Sequence, residues 1–229
     1  MLSSPRADRA AIRRTILSIL REAASSYSSQ DDPESDLRDA PEYLMTVALA
    51  KGQVEAFPVL RYRLEHHASA FDEVARSQID ARSAVGKDAA RFDIVLLNRK
   101  NNVPRCIIEV KRGTRILDDA KRILAIASLG SGRPRWRHGY LVTVLRRSET
   151  EAQRIVDELC TSIEALRHAV SGALPEHERV KVTAEMRRIG DSRLRPETTQ
   201  IYGVVFHVAL LDGTARTEDL QDGLQEIDQ

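Results

Sequence analysis

Three charged residues stand where charge is costly. Asp93 lies in Phe92-Asp-Ile-Val-Leu-Leu97, and Glu109 and Lys111 lie in Cys106-Ile-Ile-Glu-Val-Lys111. Both segments are short, β-branched and apolar on both faces, which is the pattern of interior strands. A buried charge must be paired or bound to a metal. The connection Asn98-Arg-Lys-Asn-Asn-Val-Pro104 is polar and rich in turn formers, so the two strands read as a hairpin. With the hairpin symmetric about Asn101, Asp93 faces Glu109, with Cβ atoms roughly 4.5 to 5.5 Å apart on one face. Lys111, two residues on, reaches over the same face. Two carboxylates that close repel unless a cation sits between them. Hard oxygen ligands without His or Cys favour Mg²⁺ or Mn²⁺. Such an ion neutralises a phosphodiester, activates a water and stabilises the leaving oxygen, so a nucleic-acid backbone is the natural substrate. Lys111 then either stabilises the phosphate and orients the water or acts as a general base, and the sequence leaves both open. The competing structural reading is a buried ion-paired triad without chemistry.

The elements that must position these residues follow from periodicity. Ile12, Ile16, Ile19, Leu20 and Ala23 recur at helical spacing and predict a helix over Ala10 to Ala24, followed by a Ser-rich acidic linker, Ser25 to Asp39. Asp39-Ala-Pro-Glu42 reads as an N-cap, early proline and capping-box glutamate, so a second helix is expected from near Ala40, stopped by Gly52. Residues Val59 to His67 fit strand or helix. After Gly113, Ile116, Leu117, Ala120, Ile123, Leu124 and Ala127 line one helical face. A strand is expected at Gly139 to Leu145, a helix at Glu149 to Val170, an edge strand around Val180 to Arg187 and a last strand at Ile201 to Leu211. This order implies an α/β fold, a mixed sheet covered by helices.

The chain has 229 residues with 35 Lys+Arg against 34 Asp+Glu, a formal net charge of +1, which argues against a general polyanion coat. The charge is uneven: Arg133 to Arg147 carries five arginines and no acid, whereas Thr217 to Gln229 carries five acids and no base. Two cysteines, Cys106 and Cys160, are too few for a disulfide framework, and Cys106 reads as a small core residue. His207 reads as a satisfied core histidine. No targeting signal or membrane-length apolar run is visible, so a cytoplasmic protein without membrane contact is expected.

Asp93, a turn, and Glu109-Val110-Lys111 after the apolar pair Ile107-Ile108 resemble the PD-(D/E)xK nuclease superfamily, the restriction-endonuclease-like fold. The strand, turn, strand, helix, strand order from Arg91 to Leu145 is similar to its core, and the resemblance spans roughly residues 40 to 146, with Phe92 where the motif's proline would stand. The resemblance implies Asp93, Glu109 and the Val110 carbonyl as ligands of Mg²⁺ or Mn²⁺, Lys111 as the catalytic lysine, and a further acid from the preceding helix, Glu42 with Glu55 behind it. It implies a nuclease domain over 40–212 with a C-terminal elaboration, preceded by the N-terminal helix and loop (1–39) and followed by an acidic tail (213–229). Nucleic-acid contacts are expected from Lys87 and Arg91 before the first strand, from Lys121 and Arg122 on the following helix, and from Arg133, Arg135, Trp136 and Arg137, where Trp136 can stack on a base; Arg146 and Arg147 lie at the far end of that strand. The expected function is a DNA endonuclease of restriction, anti-phage defence or repair, as a homodimer or with a partner subunit. The alternative is a nuclease-like nucleic-acid-binding or scaffold subunit that does not cut.

Overall fold

A computed structural model describes residues 7–28, 36–67, 91–102, 104–128, 138–166, 178–192 and 198–212. In chain order the elements are α1 (Arg9–Ser28), α2 (Glu42–Ala56), β1 (Leu60–His67), β2 (Arg91–Asn98), β3 (Pro104–Arg112), α3 (Leu117–Ser128), β4 (His138–Arg147), α4 (Glu149–Ala165), β5 (Glu178–Asp191) and β6 (Gln200–Asp212). The segment that fits strand or helix is the strand β1. All six strands form one sheet in the order β1-β2-β3-β4-β6-β5. β3 and β4, joined through α3, run parallel, and every other neighbouring pair is antiparallel. The expected mixed sheet flanked by helices is therefore present, with the alternating Val180 segment on an edge. Among the described residues no helix is long and apolar enough to cross a membrane.

Strand alternation divides the core. Ile94, Leu96, Ile108 and Val110 pack with Ile12, Ile16, Leu20, Met45 and Leu49 of α1 and α2. Val95, Leu97 and Ile107 pack on the other side with Ala120, Ile123 and Leu124 of α3 and Val156 and Ile163 of α4. Because α1 contributes to the first of these clusters, it is built into the same core as the sheet. Gly52 does not stop α2, which continues to Ala56. Its role is close approach: a Cβ there would lie 2.5 Å from Cδ1 of Ile19, so α1 and α2 pack against a bare backbone.

The entry to α2 also departs from expectation. No side chain caps the helix, Pro41 takes the cap position and Glu42 is the first helical residue. Asp39 is unavailable because its carboxylate accepts from the Asp36 amide and pairs with Arg146. Arg146 also bonds Asp36 at 2.7 Å, and Asp36 is only 1% exposed. The guanidinium from β4 thus ties down the turn that starts α2, rather than facing a nucleic acid. Replacing Arg146 with Met strands the Asp36 carboxylate, which is expected to cost on the order of 3 kcal/mol in denaturant unfolding; a loss below 1 kcal/mol would show that the pair is only a surface ornament.

His207 lies in the core region but is not satisfied. Its Nε2 and the Nδ1 of His138 are buried without hydrogen-bond partners. The two rings meet at a centroid distance of 5.2 Å, and both abut Tyr140, whose hydroxyl donates to the Arg9 carbonyl. Burial lowers both imidazoles. The neighbouring His207 ring pushes His138 further, well below the ordinary range, and Arg9 and Arg13 bring His207 to about 3. Both rings are neutral near pH 7, whereas an unfolded histidine takes up a proton near pH 6.5. Their contribution is therefore present above about pH 6.5 and is lost as pH falls through the folded values, about 3 for His207. His207→Leu should flatten the decline in Tm between pH 7 and 4; a pH profile parallel to that of the native chain would assign the decline to other groups.

Candidate active site

The site lies at the C-terminal end of β3, where β2 leaves the sheet's regular pairing. The hairpin register follows the predicted symmetry through Leu96↔Cys106, Val95↔Ile107 and Ile94↔Ile108, and stops one pair short of Asp93 and Glu109. The bulge at Leu97, which pairs with Pro104, sits at the turn end, where the Asn98 carbonyl accepts from the Asn102 amide and Asn102 adopts a φ of 57°. Asparagine tolerates that left-handed conformation. On the β1 side the ladder runs Leu64↔Ile94 and then His66↔Phe92, omitting Glu65, whose φ is 48°. Asp93 therefore has no partner in either ladder. Its carboxylate takes over the backbone's role, Oδ2 accepting from the Val110 amide at 2.8 Å. A strand residue turns its N–H and C=O to the same side, so the Val110 carbonyl is also directed to the β2 side.

Glu109 points to the α3 side, like Ile107, and is fully buried. Arg122 of α3 meets it there, Nη2 lying 3.0 Å from Oε1. The same Nη2 bonds Asp119, one helical turn earlier and 6% exposed. Arg122 also donates to the Arg91 carbonyl at 3.2 Å and lies over the Phe92 ring, 5.8 Å from its centroid. Phe92 belongs to the α3/α4 cluster although Ile94 belongs to the other, so alternation breaks at Phe92–Asp93. Oε2 of Glu109 is buried without a hydrogen-bond partner. Burial first, then the charge of Asp93, raises the Glu109 pKa well above the ordinary carboxylate range, against the opposing pull of Arg122. Burial raises Asp119 as well, although Lys111 and Arg122 oppose it.

Lys111 lies between two acids, its ammonium 3.8 Å from Glu42 and 3.9 Å from Asp119. Burial would lower its pKa, but Asp119, Asp93, Glu109 and Glu42 outweigh burial and hold it above the usual value. It is an ammonium. β3 stops just beyond it because Gly113 turns the chain at a φ of 86°, and Thr143 fixes that turn by donating to the Gly113 carbonyl at 2.5 Å. Glu42 reaches across from α2, accepting from the Arg112 amide at 3.3 Å and pairing with the Arg112 side chain. The capping-box reading is replaced by a site contact. Glu55 is an exposed partner of Lys51 and does not join the site.

Of the expected residues, the structure brings together Asp93, Glu109, Val110, Lys111 and Glu42. Arg122 faces inward rather than toward a groove. Arg91 is exposed, Lys121 pairs with Asp118 at 3.1 Å on the surface, and Arg147 pairs with Glu151. Lys87, Arg133, Arg135, Trp136 and Arg137 lie outside the described residues. Sequence reasoning missed Asp119. The signal was its place on the stripe of Ile116, Ala120 and Ile123, three residues after one apolar position and four before another, where an acid is expected to be buried.

For a divalent cation the available donors are hard oxygens: Asp93, Glu109 and the Val110 carbonyl, with Glu109 Oε2 buried and unpartnered. By donor type alone such a set suits Mg²⁺ or Mn²⁺. Among the described residues no three His, Cys, Asp or Glu side chains gather closely enough to hold an ion. The physical reason is interleaving: Arg122 stands between Glu109 and Asp119, and Lys111 between Asp119 and Glu42. Comparison of the chain with family models, curated proteins and solved structures finds no match.

A raised carboxyl pKa in the folded chain has a stability consequence of definite sign. The native state holds the Glu109 proton more tightly than the unfolded chain, so this contribution is full below about pH 4.5 and is lost as pH rises through the folded value. In EDTA, Glu109→Gln should raise Tm at pH 8 by a few degrees and leave it little changed at pH 4. A Tm at pH 8 below that of the native chain would mean that the Arg122 pair outweighs the burial cost.

Proposed function

We propose that the chain is a metal-dependent nuclease with a restriction-endonuclease-like fold that hydrolyses phosphodiester bonds in DNA. The observation that carries this reading is the convergence of Asp93, Glu109, Lys111 and Glu42 from three elements onto the end of β3, with one Glu109 oxygen buried and unpartnered. Asp93 and Glu109, with the Val110 carbonyl, are the ligand set. A bound Mg²⁺ or Mn²⁺ supplies charge neutralisation of the phosphodiester and a lowered pKa for its water. The chain's own groups do the rest. Asp93 is held by the Val110 amide, so its carboxylate is oriented before substrate arrives. Lys111, kept as an ammonium by the surrounding acids, serves as a charge that orients the attacking water and stabilises the pentacoordinate phosphate. Glu42 anchors Lys111 from the helix side. Cutting both strands of a duplex requires two such sites, hence a homodimer acting in restriction, anti-phage defence or repair.

A second reading, a nuclease-like nucleic-acid-binding or scaffold subunit, is favoured by one observation: Arg122 pairs with both Glu109 and Asp119, so the chain itself supplies these acids with a cation. Cleavage separates the two. Supercoiled plasmid, linear duplex and single strands are incubated with Mg²⁺, Mn²⁺ or EDTA and the native chain, Asp93→Ala or Lys111→Ala. Metal-dependent cutting that drops at least a hundredfold in both folded variants is expected. Cutting that survives both substitutions would move the site elsewhere, and tight nucleic-acid binding without cutting in any metal would favour the subunit reading.

A further inference from the structure

We propose that Arg122 is a built-in counter-cation that occupies the cation's place in the metal-free chain, and that a divalent ion displaces it and takes Asp119 as a third carboxylate beside Asp93 and Glu109. This inference rests on the metal-site part of the nuclease reading. Three observations carry it. One guanidinium nitrogen bonds both Glu109 and Asp119, so a single positive centre already bridges two acids from different elements. The two side chains are 0% and 8% exposed, so water cannot replace that cation when it leaves. The other oxygen of Glu109 is buried and meets no donor, and the Glu109 carboxyl lies against that of Asp93, a like charge, which leaves the acids one positive partner short. Arg122 also has somewhere to go: its side chain is 31% exposed, and it already reaches the Phe92 ring and the Arg91 carbonyl at the rim of β2. The Asp119 role is absent from the sequence motif, which names only the two strand acids and a helix acid from α2.

The test reads metal binding, not cleavage. Mn²⁺ is titrated into the full chain without nucleic acid and followed by the loss of its free-ion paramagnetic resonance signal. The native chain, Arg122→Gln, Arg122→Lys, Asp119→Asn and Asp93→Asn are compared, each first checked by circular dichroism and thermal melting. Removing the competing charge should tighten Mn²⁺ about tenfold in Arg122→Gln, whereas Arg122→Lys, which keeps the charge, should stay near the native value. Asp119→Asn should weaken binding about tenfold, as loss of a ligand does. If Arg122→Gln binds no more tightly than the native chain while Asp93→Asn loses the ion, the counter-cation is refuted and the metal site stands. Native affinity in Asp119→Asn refutes the third carboxylate. Mn²⁺ bound by neither the native chain nor Arg122→Gln overturns the metal-site reading together with this inference. Should Arg122→Gln not fold, Arg122→Lys decides: tightening equal to or above tenfold with the charge retained contradicts competition.

Discussion

A carboxylate with no solvent exposure has to be neutralised, and the site is organised around that requirement at Glu109. In a low-dielectric interior an isolated carboxylate is unaffordable, and a protein responds by protonating it, pairing it or binding a cation. Glu109 shows two of these responses together: an elevated pKa and a guanidinium on one oxygen. The helix α3 is positioned by the same demand, since Arg122 must reach β3 while Ile116, Ala120 and Ile123 fill the core beneath it. Asp119 follows because a guanidinium half-buried over a Phe ring itself needs a second acid. Lys111 then balances Asp119 and Glu42 in turn. Positive and negative groups alternate from Glu42 through Lys111, Asp119 and Arg122 to Glu109, and Asp93 adds a like charge beside Glu109.

Placing those groups depends on breaks in regular structure. β2 leaves both ladders at Asp93, which frees its carboxylate to accept a backbone amide that would otherwise be paired in the sheet. Gly113 ends β3 immediately after Arg112, so Lys111 projects from a strand terminus rather than from the middle of a packed surface. Arg146 fixes the turn at Asp36 and Asp39, and that turn decides where α2 begins and where Glu42 can reach. Ladder irregularities and strand ends are where polar side chains can be aimed without losing sheet hydrogen bonds uncompensated.

How much of this was legible in the sequence varied with the range of the interaction. Helices and strands with strong apolar periods, α1, α3, α4, β2, β3, β4 and β6, were visible because their spacing reports a buried face directly. The hairpin register was visible because a polar turn lies symmetrically between two apolar runs. What escaped were choices settled by distant partners. Asp39 looks like a helix cap until Arg146, far along the chain, takes its carboxylate. Gly52 looks like a stop until Ile19 presses against it. Arg122 looks like a surface charge for a phosphate, and only the packing of α3 on β3 turns it inward. His207 looks satisfied because strand alternation reports burial but not hydrogen-bond partners.

The pattern of charges also bears on whether the site is built for chemistry or only for stability. Replacing a buried ion network by apolar residues is often neutral or stabilising, so stability alone gives weak reason for four carboxylates and three cations at one strand end. Asp36 Oδ2 in the turn held by Arg146 is also buried without a partner, so an unsatisfied oxygen alone does not mark a site; like charges brought together say more, since a stability network gains nothing from them. Here the buried Glu109 Oε2 meets no donor, the Glu109 carboxyl lies against that of Asp93, and both Glu109 and Asp119 are held above their ordinary pKa. The arrangement is therefore short of positive charge at the point where two strands bring their acids together, and the hard oxygen donors around that point define which cation would complete it.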